Sequence, residues 1–326
     1  MCYNIVMIYK LQSIETVDVT GKIVAVRSNL NTFINGESPE HNQTIKSTIA
    51  TLNYLASKNA KVIVLGTLGK PMGSIEDNLS LMDVRFAIGH LLNKPTKFVN
   101  IKNSLNSIKF MNFGEVLILE NLGFQPEEIS EKSEDWKILT EHLSNLVDYF
   151  VIDTVDIDYS SGSLKYLTKK KPAFMGLGLQ KEISTLKGFV NDKSNNSKIL
   201  ILGKESNLDL ESDLIKDFIN KFEYIYTSEK LPNGLKPKYI NTLEDLKVQI
   251  ESVESVVWIG KLEMYGQDVL EYLSLSVGKE VKKIIGGSDL VELLNHSKYK
   301  EKGITFISTS GKNLINILLG KEIKLN

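Results

Sequence analysis

The 326-residue sequence is poor in cysteine, in clustered histidine and in long apolar runs. Its one cysteine, Cys2, excludes a disulfide or a cysteine-based zinc site within one chain. No apolar run is long enough to span a membrane, and the first ten residues lack the basic start of a secretion signal. We therefore expect a cytoplasmic protein without a metal site, because the histidines lack metal-ligand spacing. They are His41, His90, His142 and His296.

Arginine is nearly absent, since only Arg27 and Arg85 occur among the 39 basic residues. Lysine supplies charge, but it cannot form the bidentate fork with which arginine grips a phosphate or a carboxylate. An AT-rich source genome explains the replacement of arginine by lysine, but not by glycine or serine. The net charge of −1 gives no general attraction to nucleic acid or to an anionic membrane. Nucleic acid is not indicated, although a local basic patch is not excluded.

Short apolar runs typical of buried parallel strands alternate with amphipathic stretches typical of helices. The hydrophobic content of 42% and charged content of 24% are those of an ordinary globular protein. In the first half, the predicted strands are 22–27, 60–66, 115–120 and 148–153. The predicted helices between them are 42–58, 80–93 and 133–147.

The same alternation starts again after a polar stretch at 190–198. Predicted strands follow at 199–203, 223–228, 255–260, 282–287 and 304–308, and predicted helices at 208–221, 242–252, 266–276 and 312–319. Two successive βα series indicate two α/β lobes. We place the first lobe at 1–178, a connecting helix at 179–192 and the second lobe at 193–326, with the last residues returning to the first lobe.

Motifs from about residue 16 onwards resemble those of the phosphoglycerate kinase family, in the same order. "KNAKVIVLGTLGKPMG" is similar to the family's "GAKVILLSHLGRPKG", and "GEVLILENLGFQPEE" to "GEVLLLENVRFHPEE". "VVWIGKLEMYGQ" resembles "VVWNGPMGVFE", and "IIGGSDLV" resembles "IIGGGDTV". The resemblance implies two Rossmann-like lobes with mainly parallel sheets, here with a shortened second lobe. It also implies a phosphoglycerate site in the first lobe and a Mg-nucleotide site in the second.

The family's chemistry depends on cations that neutralise the transferring phosphoryl group. The residue at each site position therefore indicates whether the activity is retained. In the first lobe, Thr44 and Gly123 stand where the family has arginines, and Lys70 is the one basic position that stays basic. Asn29 stands where the family has an aspartate, and Thr67 stands where it has a histidine. Tyr159 and Ser160 stand where the family has a His-Arg pair. The degenerate substrate-site positions are Asn29, Asn31, Thr44, Thr67, Lys70, Gly123, Tyr159 and Ser160.

The second lobe departs from the family in the same way. Ser206 and Leu210 replace two lysines, Lys204 replaces a glycine, and Leu290 replaces a threonine at a helix N-terminus. Asp289 is retained and is the residue left to serve magnesium. The degenerate nucleotide-site positions are Gly203, Lys204, Ser206, Leu210, Gly266, Gly286, Gly287, Asp289, Leu290 and Gly311.

These substitutions predict a phosphoglycerate-kinase-like pseudoenzyme that retains no catalytic residue and needs no cofactor. Its new role is expected to be binding another protein or assembly, or a structural one, and not at a membrane. One alternative is a nucleotide or anion sensor without turnover, which uses the helix N-termini at Ser288 and Thr309. The other is a divergent active kinase that uses Mg-ATP or Mg-ADP and lysines in new places.

Overall fold

The computed structural model describes residues 6–31, 42–130, 141, 143–155, 161–191, 197–204, 209–299, 301–310, 312–321 and 324–325. The chain divides into two compact units. The first unit comprises Met1–Lys181 and Glu322–Asn326, and the second comprises Glu182–Lys321. The first unit is therefore discontinuous in sequence.

The strands of the first unit are β1 (Val6–Met7), β2 (Ile23–Arg27), β3 (Lys61–Leu65), β4 (Lys97–Val99), β5 (Val116–Leu119), β6 (Tyr149–Ile152), β7 (Ala173–Met175) and β14 (Lys324–Leu325). Six of them form a sheet in the order β4-β5-β3-β2-β6-β7, and every neighbouring pair is parallel. The central strands are buried along nearly their whole length, as expected for a parallel sheet covered on both faces. β1 and β14 form a separate antiparallel pair.

The helices of the first unit are α1 (Gln43–Ser57), α2 (Met82–Leu92), α3 (Ser104–Lys109), α4 (Pro126–Ile129) and α5 (Gly162–Lys170). Asn42 caps α1, because its side chain accepts a hydrogen bond from the Ile45 amide at 3.0 Å. The predicted apolar face of this helix is buried at Ile45, Leu52 and Leu55. Most of the predicted helix at 133–147 lies outside the described residues.

The second unit also has a six-stranded parallel sheet, in the order β10-β9-β8-β11-β12-β13. Its strands are β8 (Lys198–Leu202), β9 (Tyr224–Thr227), β10 (Lys238–Ile240), β11 (Ser255–Ile259), β12 (Lys282–Gly286) and β13 (Phe306–Ser308). Its helices are α7 (Asp213–Ile219), α8 (Leu243–Ile250), α9 (Gly266–Leu275), α10 (Ser288–His296) and α11 (Lys312–Leu318). A long helix, α6 (Leu177–Asn191), contains the boundary between the two units.

Each unit has its own apolar core beside its sheet, as its buried side chains show. The two parallel α/β sheets confirm the predicted fold class. Within the described part of the chain, no helix is long and apolar enough to cross a membrane.

Candidate functional site

The loop that follows β5 is fixed by a buried asparagine, Asn121. Its Nδ2 donates to the carbonyl oxygens of Leu68 at 2.7 Å and Leu79 at 2.9 Å, and its Oδ1 accepts from the Gly123 amide at 2.9 Å. Asn121 is fully buried. One side chain therefore holds this loop against the loop that follows β3, and both lie at the carboxyl ends of their strands, where α/β proteins bind ligands.

Gly123 lies at the centre of this arrangement and is enclosed. A Cβ atom added there would lie 2.9 Å from Cγ of Pro71 and 3.1 Å from Oδ1 of Asn121. The Gly123 carbonyl oxygen accepts a hydrogen bond of 3.0 Å from the Gly73 amide. A larger side chain at Gly123 would therefore have to displace the Pro71 ring or separate the two loops.

The loop after β2 is joined to the loop after β3 by Asn31, and Asn29 holds the backbone of Asn31. Asn29 Oδ1 accepts from the Asn31 amide at 2.9 Å, and Asn31 Oδ1 accepts from the Gly69 amide at 2.9 Å. Gly69 has a positive φ of 65°, a conformation that glycine adopts without strain. Both side-chain oxygens thus take part in fixing the backbone.

A buried carboxyl group that sequence reasoning did not single out lies at the end of β6. Asp153 accepts from Thr48 Oγ1 at 2.8 Å and from the Leu179 amide at 3.2 Å, and so caps the first turn of α6. Ser28 Oγ lies 2.7 Å from Thr48 Oγ1 and extends the chain of hydrogen bonds. Burial raises the pKa of Asp153 to about 7, although hydrogen bonds from Thr51 and Thr48 oppose the shift.

A second buried carboxyl group, Glu128, pairs with one of the two arginines. Its Oε1 lies 3.5 Å from Arg27 Nη2, and its carboxylate accepts from the amide and the hydroxyl of Ser163 at 2.7 and 2.8 Å. Burial raises the pKa of Glu128, and the Arg27 guanidinium opposes that shift. In the run "FQPEE", the sequence predicts that Glu127 and Glu128 are helix-start or surface charges and not catalytic acids. Glu128 does lie in the first turn of α4, but it is only 2% exposed and is not a surface charge.

In the second unit, the carboxyl ends of β8 and β11 are joined by their backbones. The Lys204 amide donates to the Lys261 carbonyl at 2.9 Å, and the Lys261 amide donates to the Lys204 carbonyl at 3.1 Å. A Cβ atom at Gly203 would collide with the Lys261 backbone. The amides of Lys204 and Lys261 are therefore used within the fold, whereas the Lys204 side chain is 73% exposed.

The helix α10 begins just after the carboxyl end of β12, at one of the predicted nucleotide-site positions. Asp289, in the first turn of the helix, is exposed, and Leu290 is fully buried in the apolar core. Leu290 therefore offers no hydroxyl at this helix N-terminus, where the family's motif has a threonine. Gly286 packs against the Leu314 side chain, and Gly287 has a φ of 112°.

Lys283 in β12 is a buried cation that serves the fold. Its Nζ donates to the carbonyl oxygens of Val277 at 3.0 Å and Gly278 at 2.7 Å, just beyond the end of α9. Burial lowers its pKa. Among the described residues, no group of three or more His, Cys, Asp or Glu side chains could hold a metal ion.

A family model described as phosphoglycerate kinase matches residues 14–228. The chain belongs to the phosphoglycerate kinase family. Phosphoglycerate kinase from Clostridium botulinum (strain Hall) is 25% identical over 400 residues, covering 97% of this chain and 98% of the relative. The enzyme from Zymomonas mobilis is 29% identical over 389 residues, covering 94% and 96%. Both alignments are longer than the chain, so these relatives contain segments that it lacks.

The crystal structure of phosphoglycerate kinase from Pyrococcus horikoshii has the same fold, with a TM-score of 0.72 and 20% identity. The match covers 95% of this chain and 96% of that one. The predicted resemblance to the phosphoglycerate kinase family is thus confirmed by a family model, by curated relatives and by a solved structure.

Most substrate-site positions taken from the family's motifs lie at the carboxyl edge of the first sheet. Asn29, Asn31 and Gly123 are joined there through the loop that contains Thr67 and Lys70. Thr44, in the first turn of α1, is 5% exposed, whereas Lys70 is exposed and is the cation that this loop offers. Tyr159 and Ser160 lie outside the described residues.

The nucleotide-site positions are distributed over the strand ends of the second unit. Gly203 and Lys204 follow β8, Gly286 ends β12, and Gly266 begins α9. Leu210 is half-buried in the segment before α7. The predictions for Ser206 and Gly311 fall outside the described residues. No motif in the sequence signalled the burial of Asp153, Glu128 or Lys283.

Proposed function

We propose that this member of the phosphoglycerate kinase family is a pseudoenzyme. It keeps the two α/β units, has lost phosphoryl transfer, and acts by binding another protein. In phosphoryl transfer the enzyme contributes little covalent chemistry, and the rate depends on cations positioned around the transferring group. The proposal therefore rests on what has happened to the positions of those cations.

The observation that carries the proposal is the enclosure of Gly123. The family's motif has an arginine at this position, and coding bias alone would have left a lysine there. Pro71 and Asn121 fill the direction in which the side chain of an arginine would leave the backbone. The site thus lacks the charge, and a side chain at Gly123 would require the Pro71 ring to move. Removal of one arginine that acts at the transition state costs a factor of about 10³ to 10⁵ in such reactions.

Two features of the second unit support the same conclusion. The Lys204 and Lys261 amides bond to each other's carbonyl groups, so they are occupied within the fold. Leu290, which stands where the family's motif has a threonine at a helix N-terminus, is buried in the core and offers no hydroxyl to a phosphate. Among the described residues, a nucleotide phosphate would find these two amides already bonded and no threonine hydroxyl at position 290.

The test is a coupled assay of ATP formation from 1,3-bisphosphoglycerate and Mg-ADP by the purified chain. The Zymomonas mobilis relative, assayed in parallel, is the positive control. We expect a rate at least about 10³-fold below that of the control. A rate within about tenfold of it, abolished by Lys70→Met, would refute the proposal and establish the divergent kinase instead.

A nucleotide sensor without turnover is the second candidate, favoured by the exposed Lys204 side chain at the strand end where the family binds nucleotide. Binding at a hundredfold excess over Kd would stabilise the protein by about 2.7 kcal/mol. Thermal unfolding with and without Mg-ADP distinguishes the two candidates. A shift that Lys204→Gln removes supports the sensor, and no shift supports a protein-binding role.

The protein-binding role is supported by two exposed apolar side chains in the loop beside Gly123. Met72 is 70% exposed and Ile75 is 78% exposed. Met72 stands where the family's "GRPKG" motif has a lysine. We take these two neighbouring side chains as the candidate interaction surface, because contiguous exposed apolar patches mark such surfaces. We expect cross-linking to a cellular partner to be lost in Met72→Lys/Ile75→Lys and retained in Val248→Lys, which changes an exposed apolar residue of the second unit. Equal cross-linking in both variants would place the interface elsewhere.

A further inference from the structure

A pocket lies at the amino edge of the second sheet, away from the carboxyl edge where the family's nucleotide positions lie. Its volume is about 70 Å³. It is formed where the C-terminal part of α6, the first residue of β8, the end of α7 and the end of α11 come together. The lining residues are Phe189, Lys198, Phe218, Lys221, Phe222 and Leu318.

The inner wall of the pocket is apolar and well packed. The rings of Phe218 and Phe222 meet edge to face with 5.1 Å between their centroids, and Phe189 and Leu318 complete the wall. Each of these four side chains is at most 7% exposed. A dry cavity of about 150 Å³ holds a benzene molecule. A pocket of half that size therefore suits an apolar group of three or four carbon atoms.

The mouth of the pocket is cationic. Lys198 places its Nζ 4.9 Å from the centroid of the Phe189 ring, and Lys221 is an exposed residue beside Phe222. Among the lining residues that the structure describes, none is acidic. An apolar wall with a few placed polar groups is the usual composition of a small-molecule site. Here both polar groups carry a positive charge.

We propose that this pocket binds a short branched-chain carboxylate. The branched alkyl group lies among the phenylalanine rings, and the carboxylate accepts hydrogen bonds from the ammonium groups of Lys198 and Lys221. The site does not depend on phosphoryl transfer, because none of its residues belongs to the substrate or nucleotide positions. Its test is therefore separate from the kinase assay.

The first experiment compares three probes by NMR titration of the Leu318 methyl and phenylalanine ring signals. Isobutyrate has both the branched alkyl group and the negative charge of the proposed ligand. Acetate lacks the branched alkyl group, and isobutyramide lacks the charge. We expect saturable shifts with isobutyrate, and binding weaker by about tenfold for acetate and by about tenfold for isobutyramide at low salt. Equal affinities for the three probes, or no saturation by isobutyrate, would overturn the proposal.

The second experiment changes the protein. Leu318→Phe fills the pocket and should abolish isobutyrate binding, whereas Lys198→Gln/Lys221→Gln should weaken it by about tenfold. Lys261→Gln, which removes an exposed lysine at the opposite edge of the sheet, is the matched control and should bind as the parent does. Circular dichroism reports whether each variant folds. If Leu318→Phe does not fold, the lysine variants and the comparison of probes still test whether isobutyrate binds in this pocket. Equal binding of isobutyrate by all folded variants would refute the site.

Discussion

The buried carboxyl group of Asp153 makes the stability of the first unit depend on pH in a way that can be calculated. Its pKa in the folded protein is about 7, against an ordinary value of 3.8. Between these two pH values the folded state binds more protons than the unfolded state, so stability falls as the pH rises and levels off above the folded pKa. From about pH 5 to about pH 8 the loss attributable to Asp153 is about 2.5 kcal/mol.

Asp153→Asn removes this titration with little change of shape. In the ionised protein Ser28 donates to Thr48, and Thr48 donates to Asp153. An asparagine can keep the Leu179 amide on its oxygen and donate from its Nδ2 to Thr48, whose hydroxyl then donates to Ser28. The variant therefore reverses the direction of the hydrogen bonds between Ser28, Thr48 and residue 153 and keeps the bond from the Leu179 amide.

We expect the stability of Asp153→Asn, relative to the parent, to rise by about 2.5 kcal/mol between about pH 5 and about pH 8. The two units can unfold separately, so the measurement should be urea unfolding followed by hydrogen exchange of peptides from β2 and β6. Asp148→Asn, which makes the same change at a half-exposed carboxyl group at the other end of β6, is the matched control for the substitution itself. Parallel pH profiles for parent and Asp153→Asn would show that the buried carboxyl group does not titrate as reasoned.

Three further changes test the packing described above by urea denaturation. Gly123→Ala should destabilise by about 1–3 kcal/mol because it overpacks the loop, whereas Gly188→Ala, in the open surface of α6, should stabilise by about 0.5–1 kcal/mol; equal effects would mean that Gly123 is not enclosed. Lys283→Met should cost about 1–3 kcal/mol, because two carbonyl groups lose their donor, and a neutral result would mean that water reaches them. Glu128→Leu should cost about 3–5 kcal/mol by leaving the Arg27 charge in the interior; restoration of stability by a second change of Arg27 to methionine would confirm that cause, and no recovery would argue against it.

The central strands were predictable because their signal is strong and local. The runs at 60–66 and 115–120 became Lys61–Leu65 and Val116–Leu119, within one residue at each end. The strands β4, β7 and β10 were not predicted. Each has three residues, which is too few for an apolar run or an alternation to show, and each lies towards an edge of its sheet.

The site was predictable in position but not in its internal contacts. The order of the motifs indicated Gly123 and Thr44 as positions that had lost a cation. It did not show that Gly123 is enclosed by Pro71, because Pro71 lies 52 positions away in the chain and meets it only in the folded structure. The burial of Asp153 and Glu128 could not be predicted for the same reason, because the sequence does not show whether a carboxyl side chain is buried or exposed.

The pairing of β1 with β14 has a consequence for the order in which the chain can fold during synthesis. Val6 and Met7 leave the ribosome first among the paired residues, and Lys324 and Leu325 leave it only after the intervening second unit. Domains generally fold as they emerge, from the N-terminus onwards. The first unit must therefore wait for the whole of the second unit to be synthesised before its two-stranded ladder can close. During that interval the β1 strand has unpaired backbone groups, and a nascent chain stalled within the second unit would present this strand to any other strand that could pair with it.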